Sequence, residues 1–181
     1  MTNKSKTYKI AVVGLFIALS YLGTSLHIAI PIAGGGSTMF HFGNVFCLLA
    51  SLLLGGVWGG TSGALGMALF DFTSEKFQYC VPETLVLKFI IGIICGFAFK
   101  KLKIKNDATR AGISCSLGMC FNIIFSPLTS YLSSKYILGT PDELASILSK
   151  WTALTTFTNA IIAVIFAVVL YESLKYALAE R

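Results

Sequence analysis

Charge is what this chain has least of. Only 12% of its 181 residues are Asp, Glu, Lys or Arg, whereas 55% are apolar. A soluble domain of this length wraps its core in a charged skin, and there are too few charges here to make one. A mean hydropathy of +0.78 points the same way, to a chain whose solvent is lipid.

Other absences narrow the function. There is no GxxxxGK[ST] phosphate loop, which excludes ATP hydrolysis by that route. There is no HExxH, and the two histidines, His27 and His41, fall on different segments, against a membrane metalloprotease. No alternating segments suggest a barrel, and no internal duplication suggests an inverted-repeat transporter. Lys4–Lys9 before an apolar run resembles the start of a signal peptide. No small-x-small cleavage site follows Leu26, however, so an uncleaved first helix is expected. The five cysteines, Cys47, Cys80, Cys95, Cys115 and Cys120, lack metal-ligand spacing. They predict neither a disulfide nor a metal site, and nothing implies a cofactor.

What is present is a series of apolar runs close to the ~20 residues that cross a bilayer as a helix. Six candidate spans stand out: about Tyr8–His27, Phe42–Leu54, Val57–Thr73, Thr84–Phe99, Thr109–Leu138 and Ile147–Ala177. The fold class expected is an all-α integral membrane protein, one bundle of six transmembrane helices over residues 1–181 with no soluble module attached. The second and third spans are short, so the Gly55–Gly60 corner between them belongs in the interface. Pro127 should kink the fifth. Gly59–Gly63 and Gly92–Gly96 are GxxxG pairs that let helices approach closely within the bundle.

Basic residues orient the bundle. With the N-terminus cytoplasmic, inside segments carry Lys4, Lys6, Lys9, Lys100, Lys101, Lys103, Lys105, Arg110, Lys175 and Arg181, against Lys76, Lys135 and Lys150 outside. This is a positive-inside bias and fits N- and C-termini both in the cytoplasm. It also accounts for the Lys100–Lys105 cluster and the net charge of +6 without a nucleic-acid partner.

Polar residues then gather at the outer end. His41 and Asn44 precede the second span and Asp71 ends the third, so folding at the corner brings the three together. Lys88 lies about one turn beyond Glu83 on the fourth span. A charge at that depth needs a partner, either Asp71 or Glu83 in a structural pair, or a polar ligand. Asn122, Ser126 and Ser130 share one face of the fifth span; Trp151, Thr155 and Asn159 share one face of the sixth. The two faces either converge on a ligand or hydrogen-bond as helix glue, and Trp151 also suits an interfacial anchor. With Tyr79 nearby they suggest a pocket with an aromatic wall and amide donors. The uncharged segment Ile28–Thr38, with glycines at 34–36, reads as a gate or a plain connector. Thr140, Pro141 and Glu143 predict a capped helix start and a short outer helix leading to Trp151.

The run His41-Phe-Gly-Asn44, the Leu52-Leu-Leu-Gly-Gly56 corner, Gly63…Gly66…Asp71 and Pro82…Lys88 resemble the substrate-binding S components of energy-coupling-factor (ECF) vitamin transporters, in the riboflavin-transporter-like branch. The resemblance implies six helices, a vitamin bound near the outer face, and a partner complex of a transmembrane coupling protein (T component) with two ABC ATPases. It implies that a small-xxx-small pair on the first helix, here Gly14 and Ala18, docks on the coupling protein. It further implies that Ile28–Phe40, Thr73–Pro82 and Gly139–Lys150 close over the ligand. A pocket with Trp151, Tyr79, two Asn, Asp71 and Lys88 suits a small polar heteroaromatic ring, a pyridoxine-like vitamin B6 compound ahead of riboflavin or hydroxymethylpyrimidine. The competing expectations are a membrane enzyme, or a facilitator needing no ATPase, built on Asp71, Lys88 and His41.

The orientation is testable by cysteine labelling on a Cys-free background. An impermeant maleimide added outside should modify Ser74→Cys and spare Asn106→Cys; the opposite pattern inverts the topology.

Overall fold

The computed structural model describes residues 3–32 and 37–179, with side chains described between residues 6 and 175. The glycines at 34–36, on which the gate expectation rests, lie outside the described residues. Among the described residues there are six α-helices: α1 (Asn3–Ser25), α2 (Gly43–Leu54), α3 (Gly56–Thr73), α4 (Val81–Lys101), α5 (Asp107–Tyr136) and α6 (Asp142–Ala179). Four of them, α1, α4, α5 and α6, are long and apolar enough to cross a membrane. The helix α2, with 12 residues, is not. At ~1.5 Å per residue it is much shorter than the ~30 Å hydrocarbon core.

Among the described residues, the segment between α1 and α2 is a pair of strands rather than an irregular loop. His27–Pro31 (β1) pairs antiparallel with Ser37–His41 (β2), His27 opposite His41 and Ile30 opposite Thr38. The β-branched and aromatic residues of Ile28-Ala-Ile30 and Thr38-Met-Phe40 favour this pairing. A backbone bond from Phe42 N to Gly23 O (2.9 Å) ties the end of the hairpin to α1. A second departure concerns α6. No separate short helix precedes it; one uninterrupted helix begins at Asp142, and the Pro141 carbonyl accepts its first bond, from Ala145 N. Thr140 instead donates its backbone N–H to Ser134 O, closing the turn at Gly139, where φ is +64°. The helix α5 runs through Pro127, whose carbonyl accepts from Ser149 Oγ at 2.8 Å.

Glycine sets how closely the helices approach. A Cβ on Gly56 would strike the α4 backbone at Ile93, one on Gly60 that at Phe89, one on Gly92 the backbone of Gly60 and one on Gly96 that of Gly56. The α3–α4 contact is therefore two small-xxx-small pairs, Gly56–Gly60 and Gly92–Gly96, laid against each other. The Gly59–Gly63 pair noted in the sequence faces α2 instead, at Ser51 and Cys47. Without a hydrophobic force between helices in lipid, such close backbone packing is a main source of association. The interior is otherwise filled by Leu48, Ile91, Cys95, Cys115 and Met119, while Leu15, Phe72, Val86, Ile165 and Val169 are exposed, as lipid-facing side chains should be.

Gly92→Leu should therefore force α3 and α4 apart and destabilise the bundle by ~1–3 kcal/mol or more. Gly14→Leu is the control, because nothing lies within 4 Å of a Cβ there. Fluorescence-detected melting in detergent should show a large drop for the first variant and little change for the second.

Candidate functional site

At the end of the bundle that carries the β-hairpin, seven segments surround a cavity of about 110 Å³. Thr38, Met39 and His41 from β2 line it on one side, Phe77 and Tyr79 from the connection between α3 and α4 on another. Asn44 comes from α2, Met67 and Asp71 from α3, Glu83, Thr84, Leu87 and Lys88 from α4. The far wall is Asn122, Ser126 and Ser130 of α5 with Thr152, Thr155, Thr156 and Asn159 of α6. Two of the three segments expected to close over a ligand are thus at the cavity. The third, Gly139–Lys150, contributes no lining residue.

Lys88 is only 8% exposed, and its Nζ donates to Asn122 Oδ1 at 3.1 Å. The structural ion pair with Asp71 or Glu83 is not formed. Among the described residues neither carboxylate lies within salt-bridge distance of Lys88. The reason lies on α4 itself. Thr84 sits one turn before Lys88 on the same face, and its hydroxyl donates to Asp71 Oδ2 at 2.5 Å. Glu83, one residue round the helix, accepts from Thr129 Oγ1 on α5. Each carboxylate is held by a threonine, and the lysine by an amide.

Asn159 lines the cavity and also bonds to the hairpin. Its Nδ2 donates to Met39 O (3.0 Å) and its Oδ1 accepts from His41 N (3.2 Å), so the amide pairs with the β2 backbone as a neighbouring strand would. Thr155 adds a hydroxyl bond to Thr38 at 2.7 Å. These two α6 side chains pin the hairpin over the cavity. His41 then turns its Nδ1 to accept from Gly43 N at 3.1 Å, at the first turn of α2, which leaves the ring proton on Nε2. Burial, aided by the nearby Lys88 charge, pulls its pKa down to about 3, so the imidazole is neutral at physiological pH.

One polar atom at the cavity is left over. Asn44 is 2% exposed, and its Oδ1 has no hydrogen-bond partner. An unsatisfied buried acceptor costs ~1–3 kcal/mol, so it invites a donor from a ligand or water.

Trp151 is not at the cavity. It is 42% exposed on the outer side of α6. Steps of four residues drift by about 40° each, so Trp151 leaves the face that Thr155 and Asn159 share. The residues that do face inward, Thr152, Thr155, Thr156 and Asn159, follow the i, i+3, i+4, i+7 pattern. That signal was available in the sequence and would have found Thr152 and Thr156. Thr84, Met67 and Phe77 carried no comparable signal. Among the described residues no group of three His, Cys, Asp or Glu side chains is placed to hold a metal ion. His41, Asp71 and Lys88 each bond to other groups, and among the described residues no hydrogen bond joins any two of them.

Asn159→Ala removes both backbone anchors of β2. Hydrogen exchange at residues 38–41 should quicken by about tenfold or more, given ~1 kcal/mol per lost bond. Exchange in α4 and α5 should not change.

Comparison with curated proteins yields no match. A family model does match, over residues 4–176, and it describes the S component of an ECF-type riboflavin transporter. The match takes in every element that lines the cavity. A lipid-facing helical bundle with a polar cavity at one end and no ATP-hydrolysing motif is what a substrate-binding component of such a transporter requires. The chain belongs to the family of ECF-type riboflavin transporter S components.

Proposed function

We propose that this protein captures a water-soluble vitamin at the outer face of the cell membrane and delivers it through an ECF coupling protein driven by two ABC ATPases. In this reading the chain crosses the membrane six times, with both termini in the cytoplasm. The α2–α3 hairpin accounts for two crossings by bending at Gly55 within the interface. The observation that carries the reading is the Lys88–Asn122 pair beside the unpartnered Asn44 oxygen. A buried cation and a vacant acceptor, walled by hydroxyls, offer a small ligand both a donor and an acceptor in a place shielded from water.

The cavity favours a small ligand. At about 110 Å³ it falls below the ~300–1,000 Å³ of drug-sized sites. A single polar heteroaromatic ring of the pyridoxine or hydroxymethylpyrimidine kind fits this better than three fused rings. Riboflavin is the second reading, supported by the family description, and it requires the hairpin and the Phe77–Cys80 segment to move outward. Direct ligand contacts are assigned to Lys88, Asn122 and Asn44, with Asp71, His41 and Tyr79 at the margin. Asn159 and Thr155 act through the hairpin, and Trp151 takes the interfacial role.

Docking on the coupling protein is assigned to Gly14 and Ala18. Both are exposed on α1, and the space beside Gly14 is open, as a close helix contact requires. Copurification from native membranes should bring down a coupling protein and ATPases, an outcome neither an enzyme nor a self-sufficient facilitator would give.

A thermal-shift panel of B vitamins tests the binding function, since a ligand of the folded state raises the melting temperature. Pyridoxine or hydroxymethylpyrimidine should give a shift larger than riboflavin does; no shift with any member would sink the proposal. Lys88→Met and Asn122→Ala should each weaken binding roughly tenfold or more, at ~1.4 kcal/mol per decade. Trp151→Ala should leave the affinity within about twofold, and unchanged affinity in Lys88→Met would move the site elsewhere.

A further inference from the structure

The other end of the bundle holds a second and larger hollow, of about 530 Å³. The helix α2 stops at Leu54, and Gly55, with φ +85° and open space beside it, turns the chain sharply into α3. This leaves the last turn of α4 and the first of α5 uncovered on one side. The walls are Leu52 and Leu54 of α2, Trp58 of α3 and Phe97 of α4; the rim carries Lys100 and Arg110. Trp58 and Phe97 remain 40% and 53% exposed, so the hollow presents wide apolar surface.

Its charge is one-sided. Arg110 stacks its guanidinium 4.3 Å over the Phe99 ring, and its buried Nε has no hydrogen-bond partner. Lys9 reaches across from α1 to place its Nζ 4.9 Å over the Trp58 ring. Lys100, Lys101, Lys103 and Lys105 are exposed alongside. The acids at this end are already engaged: Asp107 with Arg110 (2.6 Å) and Lys175 (3.5 Å), Glu172 with Lys175 (2.7 Å). An apolar trough thus ends in an excess of cations at the mouths of spanning helices, the depth at which phospholipid headgroups lie.

We propose that this groove binds an anionic phospholipid, its acyl chain along Leu52, Leu54, Trp58 and Phe97 and its phosphodiester held by Lys100 and Arg110, with Lys9 beside it. Basic pockets between helix ends are suited to this chemistry. A zwitterionic lipid offers the same chain but no net negative charge to balance the rim. A protein partner would have to supply both an apolar plug and its own carboxylates. Arg110 gives one guanidinium N–H to Asp107 and keeps further donors for a phosphate oxygen.

Native mass spectrometry of the full chain, in micelles holding equal amounts of dioleoylphosphatidylglycerol and dioleoylphosphatidylcholine, tests the site. Phosphatidylglycerol should be retained in preference by about fivefold for each engaged cation. The double variant Lys9→Gln/Lys100→Gln should bring the ratio towards one without lowering the melting temperature. Trp58→Ala should lower retention of both lipids. Equal retention in the unmodified chain, or an unchanged ratio in the double variant, overturns the proposal. So does displacement of the lipid by inorganic phosphate, which would mark a site for a free anion. A final arm uses Val57→Cys on a Cys-free background. Protection from maleimide by phosphatidylglycerol vesicles supports the lipid. Protection only when the coupling protein and ATPases are present assigns the groove to them and overturns it.

Discussion

Everything at the cavity depends on how closely α3 can lie against α4. Glycines at 56 and 60 meet glycines at 92 and 96, and without side chains between them the two backbones nearly touch. That contact brings Asp71, near the end of α3, within reach of Thr84 in the first turns of α4. It also fixes the depth at which Lys88 enters the bundle. A single larger residue in this seam would separate the helices and leave the Asp71 carboxylate buried without its Thr84 partner, a costly outcome in lipid.

Within that frame the polar groups obey one rule: each must find its partner inside the bundle, because hydrocarbon offers none. Lys88 takes Asn122, Asp71 takes Thr84, Glu83 takes Thr129, and Asn159 takes the edge of β2. Among the described residues, Lys88 forms no ion pair with Asp71 or Glu83. A buried ion pair would have closed the cavity upon itself. Neutral partners hold the charged groups in place while leaving them capacity for a ligand, and the Asn44 oxygen is left with no partner at all. The hairpin serves the same end. Its strands satisfy each other's backbone groups, and Asn159 and Thr155 attach β2 to α6, so the cavity has a roof with few unsatisfied groups of its own.

The two ends of the bundle contrast. One gathers hydroxyls, amides and the side chains of His41, Asp71, Glu83 and Lys88 around a narrow cavity. The other gathers cations around a broad apolar hollow. This polarity suits a membrane subunit that must recognise a dissolved molecule on one side and lie against lipid and protein on the other.

Much of this was legible in residue order. The apolar runs, the glycine corner, the confinement of His41, Asn44 and Asp71 to one end, and the family resemblance are local or nearly local features. Hydropathy and a 3.6-residue period reveal them without knowledge of the neighbours. What only the tertiary structure decided was rotation and partnership. Whether Lys88 meets a carboxylate or an amide depends on how α4 is turned against α3 and α5. Whether Trp151 faces a cavity or the surroundings depends on a drift of about 40° for every four residues of α6. The β-hairpin, too, depends on a strand finding a helix 118 residues away, through His41 and Asn159. Such choices are made by contacts between segments distant in sequence, and no single segment carries the information to make them.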